Sequence, residues 1–180
     1  AGGMQTIAPH RPVDSTTLLA RFDRDVLLAT GRAVRVRPAT TSDLDAIHGF
    51  FDHLSDRSTY FRFLGIRPAI VDHYADLTDD LDVEHRVVLL AFDGHELIGV
   101  GEYIRVPHRP EAEVAFAVAD DHHGEGVATI LLEDLALIAH AAGLTKLVAE
   151  TLATNDAMLV VFRSVGLVMR SWYEYGQTHV

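Results

Sequence analysis

Apolar and polar positions alternate in two rhythms along this chain, and the changes of rhythm mark its elements. Positions 25–29 and 33–37 are short β-type runs around Gly31-Arg32, which predicts a hairpin ended by Pro38. Thr41-Ser42-Asp43 offers a helix cap, and Leu44, Ile47, Phe50, Phe51 and Leu54 follow at helical spacing. Ser55-Asp56 opens a second short helix with Tyr60, Phe61 and Phe63, and a third is predicted over 68–77. The acidic stretch 78–84 reads as a loop. An apolar, β-branched run over 86–92, the turn Asp93-Gly94 and a returning run over 97–106 predict another hairpin. Pro107 to Pro110 is a rigid loop, and 113–119 is the next strand. A helix is predicted over 126–142, with Leu131, Leu132, Leu135, Ile138 and Ala139 as its apolar stripe and Gly143 as its stop. A strand over 147–152, a helix over 155–165 closed by Gly166, and one or two strands over 167–175 complete the chain. The order ββααα–βββ–α–β–α–β predicts one mixed α/β (α+β) sheet domain.

Composition narrows the function. With 180 residues, 48% of them hydrophobic, the chain suffices for one domain with a sizeable core. Residues 1–24 read as a loose leader and 25–180 as the domain. The formal net charge of -11 argues against nucleic acid or an anionic membrane as partner and suits basic ones. The absence of cysteine excludes disulfides, thiolate zinc sites and a cysteine nucleophile. No apolar run approaches the roughly 20 residues that span a bilayer. Ala1-Gly2-Gly3-Met4 lacks the regions of a signal peptide and reads as a cloning remnant before a native Met4, so the cytoplasm is the expected compartment.

The chemistry concentrates at Asp121-His122-His123-Gly124-Glu125-Gly126-Val127-Ala128. A strand precedes this glycine loop and a strong helix follows. Such a loop aims several backbone N–H groups at one spot, at the positive end of a helix dipole, and that geometry binds phosphate. A dinucleotide fingerprint would need a third glycine where Thr129 stands, and a nucleotide-triphosphate loop would need Gly-Lys-Ser/Thr, which is missing. A tight strand-to-helix turn without a ligand is the remaining alternative. The eleven histidines show no metal-ligand spacing on a helix with a third ligand nearby, so no metal is expected.

The segment 123–128 resembles the acyl-CoA pyrophosphate loop of the GNAT N-acetyltransferase superfamily, whose pattern is Gln/Arg-x-x-Gly-x-Gly/Ala. Arg35-Val36-Arg37-Pro38-Ala39-Thr40 with Asp43 and Leu44 resembles the first strand and helix of that fold. Ala149-Glu150, then Asn155, Met158, Phe162 and Gly166, resemble its late strand and helix. Leu54-Ser55, Tyr60-Phe61-Arg62-Phe63 and Ala112-Glu113-Val114-Ala115-Phe116 are similar to Pat-type protein lysine acetyltransferases, a domain often joined to an acyl-CoA synthetase-like module or a regulatory domain. The resemblance spans about residues 33–175.

The resemblance implies the GNAT fold, a mixed twisted sheet flanked by helices, with acetyl-CoA as co-substrate. It implies a protein lysine as acceptor, on an AMP-forming acyl-CoA synthetase for example, and further domains of the same polypeptide as possible partners. It places Glu113, eleven residues before Gly124, at the position of the catalytic glutamate. It assigns pyrophosphate binding to His123, Gly124, Glu125, Gly126, Val127 and Ala128. Phe116, Ala117 and Val118 would line the acyl end, with the backbone of Ala117 and Val118 as oxyanion donors. Asn155, Met158 and Phe162 would meet the pantetheine arm, although Asn155 reads equally as a helix cap.

Elementary chemistry supports a base at Glu113. A lysine amine has a pKa of about 10.4 and must lose a proton before it attacks a thioester. Glu102 and Glu150, on neighbouring strands, are rival bases, and Glu111 is expected to be solvated. Three departures from the family pattern stand out: His123 replaces Gln or Arg, Glu125 must point outward from a phosphate loop, and Phe162 replaces the tyrosine that often protonates the leaving thiolate. No general acid is named. Acetylation of a small amine and non-catalytic acyl-CoA sensing remain alternatives.

Overall fold

The computed structural model describes residues 12–54, 73–75, 77, 81–152, 156–164, 172–174 and 177–179. Six strands form the main sheet in the order β1-β2-β3-β4-β5-β6. They are β1 (Arg24–Leu27), β2 (Ala33–Pro38), β3 (Arg86–Asp93), β4 (Glu96–Arg105), β5 (Glu111–Val118) and β6 (Lys146–Val148). Neighbours are antiparallel except β5 and β6, which run parallel. A second sheet, β7-β9-β8, holds β7 (Glu150–Leu152), β8 (Trp172–Glu174) and β9 (Gln177–His179). The helices are α1 (Ser15–Ala20), α2 (Leu44–His53), α3 (Val127–Ala141) and α4 (Asp156–Ser164).

Both hairpins turn where the sequence places them, with Gly31 and Gly94 at positive φ. Two expectations change. The stretch read as a loose leader contains α1, whose N-terminus Asp14 caps by accepting from Thr17 N–H, and Leu19 enters the core. The single strand expected over 147–152 is two strands in two sheets. β6 stays with β5 only to Val148, and after the buried Ala149 the chain pairs with β9 instead. An apolar β-type run cannot reveal by its pattern that its partner changes midway. The helices expected over 55–63 and most of 68–77 lie outside the described residues.

Strand parity gives the sheet two faces. Gly99 and Gly101 of β4 meet Val127, Leu131 and Leu135, so α3 covers their face. Register puts Ala112, Val114, Phe116 and Val118 of β5 on that same face, and all four are buried. Asp134 of α3, only 2% exposed, accepts a bidentate pair of hydrogen bonds from Arg24 at 2.8 Å each, which fastens β1 to the helix. The opposite face carries Val88, Leu90, Val100 and Glu102. There Phe51 of α2 stacks on Tyr74, and Arg86 of β3 lies over the same ring.

The start of α2 is set by a buried ion pair. Arg37 donates to both oxygens of Asp43 at 2.8 and 2.6 Å, and Asp43 also accepts from Thr40 N–H in a capping box. Burial alone would raise the Asp43 carboxyl, but Arg37 and Thr40 outweigh it and hold it below the usual carboxylate range. A depressed folded value contributes stability above the unfolded value, about 3.9, and loses it as pH falls through the folded one. Asp43→Asn is therefore expected to lower the melting temperature most at neutral pH, with the gap to wild type narrowing below about pH 4. Thermal melts of both proteins between these limits check it.

Candidate active site

A gap beside β5 is a consequence of strand pairing. β5 pairs with β6 only from Glu111 to Glu113, although it continues to Val118. Val106 N–H donates to the Glu111 carbonyl and Ala119 N–H to the Ile98 carbonyl, which fixes the parity of the β4–β5 ladder. The amides of Glu111, Glu113, Ala115 and Ala117 point at β4. Those of Val114, Phe116 and Val118 point away from it, and past Glu113 that side opens between β5 and the departing chain. Phe116 and Val118 thus present backbone polar groups to the opening. The expected oxyanion pair is divided by this parity: Val118 faces the gap, whereas the Ala117 N–H belongs to the β4 ladder.

Glu113 stands on the last rung before the strands part, opposite Ile104 on one side and Val148 on the other. Its side chain is exposed and, among the described residues, makes no ion pair. It shares a sheet face with Glu102, one rung away across the ladder. Glu102 differs in every relevant respect. It is 2% exposed, its Oε1 accepts from His73 Nε2 at 2.6 Å, and its Oε2 accepts from Arg86 at 3.1 Å. A carboxylate gripped by two donors inside the protein is poorly placed to receive a proton from an incoming amine. Glu150, the other rival, is placed by its backbone in β7, in the second sheet. Glu111 lies beside Lys146 and Arg109 at the strand's far end.

The glycine loop follows directly. Gly124 and Gly126 have φ of 77° and 93°, values that β-carbons disfavour. Gly126 caps α3 without any side-chain hydrogen bond, and the first turn holds no acidic residue. The early amides of a 15-residue helix therefore emerge at the loop with a helix dipole behind them. Val127 is buried against Gly99, while Ala128 is half-buried beside the loop. This arrangement fits a diphosphate. His122 is buried, and its Nδ1 donates to the Glu125 carboxylate at 3.0 Å. The Glu125 carboxylate also lies 3.7 Å from Arg32 Nε. His123 does something the sequence did not suggest: its Nε2 donates to the Val118 carbonyl at 2.9 Å, at the mouth of the gap.

α4 packs beside β5 and α3. The Phe162 ring packs against Phe116 at 5.8 Å between centroids and is 9% exposed, so no hydroxyl stands there. Thr129 of α3 meets Ser164 of α4 at 3.2 Å. Met158 is placed in α4 by its backbone, and Asn155 lies outside the described residues. Among the described residues no three His, Asp or Glu side chains converge as a metal site, and no helix is long and apolar enough to cross a membrane.

A strand that parts from its neighbour is thus followed by a glycine loop and by a helix whose first residue carries no side-chain cap. The sequence profile of the Acetyltransferase (GNAT) family matches residues 48–167, and the chain belongs to that family, whose members use acyl-CoA. It is 29% identical over 147 residues to an acetyltransferase of Pseudomonas aeruginosa, covering 78% of each chain. Its fold matches the crystal structure of the GNAT domain of S. lividans PAT with a TM-score of 0.79 and 35% identity, over 89% of this chain and 96% of that one. It is also 26% identical to the acetyltransferase Pat of Mycolicibacterium smegmatis over 149 residues, 79% of this chain, and it spans 44% of that relative's length.

Proposed function

We propose that this protein transfers the acetyl group of acetyl-CoA to the side-chain amine of a lysine on another protein, with an AMP-forming acyl-CoA synthetase as the acceptor class. The position of Glu113 carries the reading: an exposed carboxylate, without an ion pair among the described residues, stands at the vertex of the gap. The likeness to the GNAT domain of S. lividans PAT supports the protein acceptor.

Each residue then has a task. The amides around Gly124 to Ala128 hold the diphosphate, which sends the pantetheine arm along β5 and brings the thioester to the rungs beside Glu113. Glu113 takes the proton of the lysine ammonium, directly or through a water. The freed amine attacks the thioester carbonyl, the carbon–nitrogen bond forms, and negative charge gathers on the oxygen. Val118 N–H, with Phe116 N–H beside it, faces the gap and stabilises that charge; one main-chain donor is worth about 3 kcal/mol in such a site. The carbon–sulfur bond breaks and the thiolate leaves, to be protonated by solvent, since Phe162 supplies no acid. A thiol pKa of about 8.5 makes the thiolate a competent leaving group. Acetylation removes the acceptor lysine's charge, which would inactivate an enzyme that uses that charge on its substrate.

The test is transfer of labelled acetyl from acetyl-CoA to a purified AMP-forming acyl-CoA synthetase, with polyamines and free lysine run in parallel. Label on a single lysine of the synthetase is expected. Turnover of small amines alone would replace this reading with a small-molecule acetyltransferase, and acetyl-CoA binding without any transfer would make the domain a sensor.

A further inference from the structure

A carboxylate inside a loop built to receive diphosphate is an electrostatic liability, and the structure contains a device that manages it. Glu125 sits between Gly124 and Gly126, where the backbone has more freedom than at any other pair of positions in the loop. Its Oε2 lies 3.0 Å from His122 Nδ1 and 3.7 Å from Arg32 Nε. Arg32 belongs to the turn between β1 and β2, and its Nη1 also donates to Asp93, the last residue of β3 before its turn to β4. The series Asp93–Arg32–Glu125–His122 therefore links two hairpin turns to the glycine loop.

We propose that Arg32 is a positioning residue for the co-substrate: it draws the Glu125 carboxylate off the loop's amides and cancels its charge, while His122 completes the grip. This rests on the acetyl-CoA reading of the loop. The geometry favours an indirect role, because the guanidinium is committed to two carboxylates, Asp93 and Glu125. Without Arg32, one negative charge beside the helix N-terminus is left to repel the diphosphate, and the loop loses its tie to the sheet's hairpins. Arg32 is 42% and Glu125 19% exposed, so solvent screens the effect and its size is modest.

Two measurements test it: hydrogen exchange at the amides of Gly124 to Val127 in the unliganded protein, and CoA affinity by calorimetry. Both are applied to wild type, Arg32→Ala, Glu125→Gln and the double variant. Arg32→Ala is expected to speed loop exchange and to weaken CoA binding about fivefold, the scale of a partly exposed ion pair, with kcat unchanged. In the Glu125→Gln background the same change is expected to leave affinity unaltered, because the charge to be cancelled is gone. Equal weakening in both backgrounds would overturn the proposal and make Arg32 a direct ligand. Unchanged exchange and affinity in Arg32→Ala would overturn it outright. Faster exchange, with no CoA binding by wild type, would uphold the grip on the loop and overturn the acetyl-CoA reading.

Discussion

Glu113→Gln is expected to reduce kcat for acetyl transfer by about 10²- to 10⁴-fold, the range that a positioned general base contributes. Gln preserves the size and the exposed position of the side chain but cannot accept the amine's proton. The fold should be indifferent, because Glu113 is exposed and makes no ion pair among the described residues. Acetyl-CoA affinity should also hold, since the loop amides and the Phe116–Val118 edge are untouched. Steady-state kinetics with calorimetric binding separates these quantities. A variant that retains more than about a tenth of wild-type kcat would remove Glu113 from the base role. The Glu102→Gln variant gives the contrast. Its carboxylate anchors His73 and Arg86, so its loss should appear chiefly in thermal stability.

The second large effect lies beneath the helix. A β-carbon at Gly99 would stand 2.9 Å from Val127 Cγ1 and 3.1 Å from Leu131 Cδ1. Valine there adds two further carbons to a contact that already lacks room for one. Gly99→Val is expected to destabilise the protein by about 1–3 kcal/mol through overpacking. It should also impair acetyl-CoA binding, because Val127 is the first residue of α3 and adjoins Gly126. Gly101 provides the control. Its added β-carbon would meet Leu135 at 3.2 Å and Leu131 Cβ at 3.3 Å, farther along the helix. Gly101→Val should cost comparable stability and less affinity. Denaturant unfolding alongside CoA titration checks both, and equal affinity losses would show that affinity does not depend on where along α3 the overpacking falls.

The degree to which the sequence disclosed this site follows the range of the interactions that build it. Gly124, Gly126 and the helix behind them are local: turn chemistry and apolar period reside in a dozen consecutive residues, and the structure shows the positive φ angles and the uncapped helix where the pattern puts them. The hairpins at Gly31 and Gly94 were legible for the same reason. The gap was not, because it depends on β6 leaving β5 after Val148, a matter of pairing that no alternation encodes. Parity of the ladder likewise decides that Val118, and not Ala117, faces the gap. Arg32 carried no signal at all. It is an arginine after a turn glycine, and only the fold brings it to Glu125, 93 positions later in a numbering that runs from 32 to 125. The grip of His73 and Arg86 on Glu102 was equally hidden, and without it the glutamates on β4 and β5 look like equals.

The early parting of β5 from β6 has a consequence for the architecture itself. The described residues form two sheets, and among them nothing pairs with the larger one along the rungs of Phe116 and Val118. A pantetheine arm carries two amides, so one lying there could offer hydrogen bonds to the free edge. On the acetyl-CoA reading proposed above, the co-substrate would act as a temporary strand, and the hydrogen bonds that orient it would also join the two sheets. Occupancy would then add to the stability of the fold, as any ligand that binds only the native state does.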